Sequence, residues 1–336
     1  MEAWKAAKNA LECVLGAKKG ENIVIFCDYE KMEIGDAFAA GALRLGLQTR
    51  LVPLKPDAKT FRKDVPQELV DILTKHPSAI YVNLLRGVRE ETPFRIKLIK
   101  LETKDHKSRL GHCPGVSIDM LTEGAMALTA NDHKKMQGFA KTLIKKLSHA
   151  EKLEITNPAG THLSLSARGR PFFTDTIIDW ETLKWMNLPT GEVILAPVED
   201  SLEGTLMCDM AIGGIGPLKT PVMLDVHKGK VGDSSCKDKQ VLKRVRDSLN
   251  TDEASGTVGE FAFGINSKAR FVDEFLEAEK VLGTVHIAFG DNSDMPSGKN
   301  TSKNHMDLLM SRPTVRITNM DRSAFKVLGD GVFQQL

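Results

Sequence analysis

From Asn22 onward the chain repeats one unit: a short apolar run, a turn, then a stretch with helical spacing. That repeat limits the possible folds more than any other feature. Asn22-Ile-Val-Ile-Phe-Cys27 reads as a buried strand, and KMEIGDAFAAGALRL, Lys31 to Leu45, as the helix behind it, ended by Gly46. A strand at Gln48 to Leu54, a helix at Pro66 to Lys75 and a strand at Ala79 to Leu85 follow. Strands alternating with helices need crossover connections, which predict a mostly parallel sheet. A fourth strand near Gly115 to Met120 and a long helix over Asp132 to Leu147 complete a Rossmann-like α/β domain over residues 1–150.

The pattern changes at Glu151. Short extended runs then dominate: Leu153 to Thr156, His162 to Ala167, Glu192 to Ala196, Pro221 to Val226, Val258 to Phe263, Thr284 to Phe289 and Thr314 to Thr318. Turn residues join several of them, as in Asn157-Pro158-Ala159-Gly160 and His227-Lys228-Gly229-Lys230. One helix stands out, Lys237 to Leu249. Residues 151–336 are therefore expected to form a β-rich α+β domain, and 336 residues suit two domains of about 150 each.

Composition excludes several function classes. Lys and Arg number 46 against 44 Asp and Glu, for a formal net charge of +2, so no polyanionic partner is implied. With 3 Trp, 2 Tyr and 14 Phe there is no interleaved basic and aromatic face, and nucleic acid is not expected as a partner. Five scattered cysteines without a CxxC pair favour reduced thiols and a cytoplasmic location. The N-terminus alternates charged and apolar residues, unlike a signal peptide. No run approaches the roughly 18 apolar residues that span a bilayer, so no membrane partner is expected.

Nucleotide and serine-hydrolase signatures are missing. The turn after the first strand, Asp28-Tyr29-Glu30-Lys31, lacks GxGxxG, which argues against a nicotinamide cofactor. Gly213 to Thr220 only superficially matches a phosphate loop, and GxSxG does not occur. His112, set among Gly111, Cys113, Pro114 and Gly115, reads as a loop histidine able to face a substrate.

The second half carries a stronger constellation. His305-Met-Asp307 puts an imidazole and a carboxylate two residues apart, so on extended backbone both point to one face and can reach one cation. His286 lies inside the apolar run Val285 to Phe289, where a lone histidine is more often a satisfied core residue. Glu260 in Gly259-Glu260-Phe261-Ala262-Phe263-Gly264 and Glu192 in Pro189-Thr190-Gly191-Glu192-Val193 repeat the oddity, each an acid heading an apolar strand. Buried carboxylates are costly unless paired or bound to metal. Glu192, Glu260, His286, His305 and Asp307 thus make five candidate ligands, all nitrogen or oxygen, suited to Zn, Mn, Co or Fe(II), and with enough carboxylates to bridge a pair of metals.

The ordered blocks PTGEV, GEFAFGIN, GTVHIAFG and NHMD resemble the thermophilic metalloaminopeptidase family, the aminopeptidase T and aminopeptidase S group, over Glu151 to about Leu328. The resemblance implies a dinuclear site on Glu192, Glu260, His286, His305 and Asp307, holding two divalent metals such as Zn, Co or Mn. It also implies Glu192 or Glu260 as proton carrier, peptides as substrate, and a homodimer. Family members carry a tyrosine a few residues after the histidine of the third block; here Asp291-Asn292-Ser293-Asp294 occupies that stretch. The same blocks are similar to 2,5-dihydroxypyridine 5,6-dioxygenase, which implies as an alternative a mononuclear Fe(II) ring-opening enzyme with His286, His305 and Asp307 as the iron triad.

Overall fold

The structure is a computed structural model that describes residues 1–55, 60–75, 77–104, 108–179 and 183–335. The chain divides into two compact units: Met1–Gln137 with Asp175–Thr190, and Gly138–Thr174 with Gly191–Leu336.

The first unit is built on a five-stranded, wholly parallel sheet, as the strand–helix alternation predicts. Its order is Gln48–Leu54, Asn22–Asp28, Ile80–Leu85, Arg109–Pro114 and Trp185–Asn187. Both faces are covered. Ile23, Ile25 and Cys27 pack into one core with residues of helices Ala3–Cys13 and Met32–Arg44, while Val24 and Phe26 pack into another with helices Gln67–Lys75 and Thr92–Glu102. Successive side chains of a strand point to opposite faces, so a strand buried on both sides reads as an unbroken apolar run.

Two local expectations need correction, and one helix lies where none was expected. The fourth strand is Arg109–Pro114, not 115–120; Gly115, at φ 78°, ends it, and Ile118–Thr122 is a short helix. The apolar signal there is helical, since Val116, Met120 and Leu121 all face the core beneath the first two helices. His112 consequently lies in a strand and is 4% exposed, rather than in a loop. Helix Thr92–Glu102 gave no amphipathic signal because Ile96 and Leu101 are exposed beside its buried Phe94 and Leu98.

The second unit is antiparallel, as expected of a β-rich domain. One eight-stranded sheet runs Lys230–Cys236, Val222–His227, Glu203–Cys208, His162–Ser166, Ala150–Thr156, Thr314–Asn319, Ala324–Gly329, Val332–Phe333. The tight turn anticipated at 227–230 is present: His227 pairs with Lys230 across Lys228 and Gly229, whose φ values of 48° and 73° match the positive-φ turn of a two-residue hairpin. Helix Lys239–Leu249 is capped by Asp238, which accepts from Gln240 N and Val241 N at 2.9 and 3.1 Å.

A seven-stranded sheet positions the candidate site. Its order is Gly216–Pro217, Ala211–Ile212, His305–Met310, Val285–Gly290, Val258–Gly264, Glu192–Leu195, Phe173–Thr174. Among the described residues no helix is long and apolar enough to cross a membrane.

Candidate metal centre

The sheet register gathers the five predicted residues on one face. Glu192 stands opposite Gly264, Glu260 opposite Ala288, His286 opposite Ala262, Asp307 opposite Ala288 and His305 opposite Gly290. Cross-strand partners share a face, and so do residues two apart. The positions between the polar side chains on this face are Ala262, Gly264, Ala288 and Gly290, so little bulk separates them. The opposite face carries Val193, Leu195, Phe261, Phe263, Ile287, Phe289 and Leu308, all fully buried. The alternation of GEFAFG and HIAFG thus encodes two layers: large apolar residues on one face, and ligand-type groups separated by alanine and glycine on the other.

The distances show convergence on His286. Its Nε2 lies 3.2 Å from Glu260 Oε1, 3.6 Å from Glu192 Oε1 and 3.8 Å from Asp307 Oδ1. His305 Nε2 lies 3.3 Å from Glu260 Oε2 and 3.2 Å from Asp307 Oδ1. Glu260 therefore spans the two imidazoles, one oxygen to each. His305 Nδ1 donates to the Asp291 carbonyl at 2.8 Å, which turns Nε2 toward the carboxylates. Glu192, Glu260 and His286 are 4%, 5% and 1% exposed, while His305 stands at the rim with 35% of its side chain open.

The electrostatics show a demand for positive charge. Burial alone would strip the proton from His286, but its hydrogen bond to Glu260 and the nearby charges of Glu192, Glu260 and Asp307 outweigh that and raise its pKa to about 10. His305 is shifted up in the same way: Asp307 and Glu260 overcome desolvation. Burial opposes ionisation of Glu260, yet its hydrogen bonds to the two histidines hold it well below the usual carboxylate range. Protons on these rings stand where a cation would serve the same carboxylates.

Two residues escaped the sequence reading. Glu279 and Lys280 follow the short helix Phe275–Ala278 and are 7% and 2% exposed. Lys280 Nζ donates to Glu192 Oε2 and, at 2.8 Å, to Glu279 Oε1. Burial raises the Glu279 pKa, with the Lys280 charge opposing. The Glu-Lys pair in EAEKVLG looks like a solvated helix end, and nothing local in the sequence signals its burial. The cause is Gly264: a Cβ there would sit 2.9 Å from the Glu279 carbonyl and 2.2 Å from that of Val281, so the bare glycine lets this segment lie against the site strands. Gly191 does the same for Asn266, whose N–H donates to the Lys280 carbonyl at 2.9 Å.

Two overlapping groups have ligand atoms within 4.8 Å of one another: Glu260, His286 and Asp307, and Glu192, Glu279 and His286. The donors are imidazoles and carboxylates without thiolate, a set that suits borderline to hard divalent metals. The buried Nδ1 of His286 has no hydrogen-bond partner among the described residues. By donor chemistry, burial and charge, the residues present fit a divalent cation.

Fold and site together define a two-unit α/β protein with a candidate divalent-metal centre on the antiparallel sheet of its second unit. The sequence profile of the thermophilic metalloprotease family (M29) matches residues 127–333, and the chain belongs to that family. It is by this membership a peptide hydrolase of the metal-dependent class. Among solved structures the chain is similar to 2,5-dihydroxypyridine dioxygenase from Pseudomonas putida KT2440, with a TM-score of 0.72 and 16% identity over 99% of this chain and 96% of that one. It is also similar to AmpT from Thermus thermophilus, with a TM-score of 0.68 and 16% identity over 99% and 98%. At this identity both likenesses establish the shared fold. No curated protein matches the sequence.

Proposed function

We propose that the chain is a metal-dependent aminopeptidase that releases N-terminal residues from short peptides at the centre formed by Glu192, Glu260, His286, His305 and Asp307. The observation that carries this reading is the convergence of these side chains, from four adjacent strands, in a member of the thermophilic metalloprotease family. A bound divalent metal, Zn, Co or Mn, would acidify a water and polarise the scissile carbonyl. His286, Asp307 and Glu260 would hold it, with His305 at the open rim.

The chain's own groups account for proton handling. Glu260, which lies between the two imidazoles, is one candidate to take a proton from an attacking water and pass it to the leaving amine. Glu192, buried and tied by Lys280, is the second candidate proton carrier and faces His286 from the other side. His305 is the most exposed of the five side chains, so a peptide would approach from its side.

The test is chelator-stripped protein assayed on a panel of aminoacyl anilides and dipeptides. Activity should be lost with metal removal and restored by Co, Zn or Mn. A metal-replete protein that cleaves no aminoacyl substrate would defeat the reading. A second reading, an Fe(II) ring-opening dioxygenase, is favoured by one observation: both histidine Nε2 atoms face Asp307 Oδ1, at 3.8 and 3.2 Å, the two-histidine, one-carboxylate set of non-haem iron oxygenases. Oxygen uptake by Fe(II)-loaded protein on hydroxylated pyridines and aromatics separates the two.

A further inference from the structure

The two ligand groups around His286 are not equivalent. Glu260, His286 and Asp307 contact one another and His305, and among the described residues no basic side chain other than the two imidazoles is bonded to them. The second group, Glu192, Glu279 and His286, already contains a cation. Lys280 Nζ is bonded to one oxygen of Glu192 and one of Glu279, the two carboxylates that a metal would need to share there. We propose that the Lys280 ammonium permanently takes the place of a second divalent ion, so that this chain works with one metal, held by Glu260, His286, His305 and Asp307, rather than with the pair that its family resemblance implies. The inference rests on the metal-centre reading above.

Three observations support it. Lys280 is 2% exposed, and a buried ammonium remains charged only where carboxylates surround it, as they do here. Its backbone is fixed, since Lys280 N donates to the Glu277 carbonyl and Lys280 O accepts from Asn266 N. The segment cannot retreat without breaking the contact that Gly264 makes possible, so the ammonium is built in rather than a flexible surface arm. A dication drawn to Glu192 and Glu279 would meet this positive charge within ion-pair distance, and in a site with little water that repulsion is weakly screened. Glu192 then serves as the link between Lys280 and His286 instead of being committed to a metal.

The test counts cations. Metal-stripped protein is titrated with Co²⁺, followed by visible absorption and by elemental analysis after desalting. Wild type should hold one Co²⁺ per chain. Lys280→Met should hold two, the second at least ~100-fold more tightly than wild type does. In Mn²⁺-loaded samples, electron paramagnetic resonance should show an isolated ion in wild type and a spin-coupled pair in the variant. If Lys280→Met does not fold without metal, Glu279→Gln decides: wild type and this variant should both hold one Co²⁺ with affinities within about threefold, and a fall from two to one would overturn the proposal. Two cations in wild type, or only one in a folded Lys280→Met, overturns it while leaving the aminopeptidase reading intact. No cation in wild type overturns both.

Discussion

Replacing Glu260 by Gln is the sharpest single perturbation of the centre, because this one carboxylate spans both histidines. Its Oε1 is 3.2 Å from His286 Nε2 and its Oε2 is 3.3 Å from His305 Nε2, and the residue is only 5% exposed. The amide keeps the shape, removes the charge and can accept at only one of the two positions. A hydrogen bond to a charged group contributes about 1.5–3 kcal/mol, so losing one contact and weakening the other should cost roughly 3–4 kcal/mol of cation binding. At about 1.4 kcal/mol per decade, Kd for Co²⁺ should rise on the order of 100- to 1000-fold. Titration of stripped protein with Co²⁺, read by absorption, measures this directly. Hydrolysis should fall further than occupancy explains if Glu260 is also the proposed proton carrier. A Kd within threefold of wild type, with activity retained, would show that Glu260 neither holds the cation nor moves a proton.

Four further outcomes follow from other residues. Gly264→Ala should lower stability by at least about 1–3 kcal/mol in chemical denaturation and reduce metal content, since its Cβ would fall 2.2 Å from the Val281 carbonyl; a variant of wild-type stability would show that this segment can move aside. His305→Ala should leave the chain folded, as the side chain is at the rim, but lower kcat/KM at least about 100-fold. In the first unit, burial opposes ionisation of Glu91, but hydrogen bonds from Arg86 and Arg62 hold its pKa at about 2, below the ordinary 4.5. Its contribution, on the order of 3 kcal/mol, is present above pH 4.5 and lost as pH falls toward 2, so Glu91→Gln should flatten the acid limb of stability against pH. Glu102, buried with Asn83 as its one donor among the described residues, has its pKa pushed up by desolvation; Glu102→Gln should therefore be at least as stable as wild type near pH 7, and a large loss there would show the carboxylate to be paired.

Much of this was legible before any coordinates. A strand buried on both faces must be apolar throughout, so 22–27 announced the parallel sheet. An acid or histidine within such a run is conspicuous because it is expensive, which singled out Glu192, Glu260 and His286. The spacing of His305 and Asp307 implied one face, and strand His305–Met310 supplies it. Other elements were illegible for equally physical reasons. Arg109–Pro114 contains Arg, Gly, His and Pro and becomes a strand only because Ile80–Leu85 lies beside it; Trp185–Asn187 joins the first sheet from within the second half of the chain by pairing with residues 110–112.

Local periodicity and burial cost determined the element types and the kind of chemistry this chain can support, because both depend on neighbours within a few residues. Tertiary structure alone decided which acids meet which histidines, since that depends on the register of four strands drawn from positions 192 to 310. It also decided the fate of Lys280. Nothing in the sequence around a lysine tells whether it will face water; a glycine sixteen residues earlier, Gly264, opened the space that puts its charge inside the site.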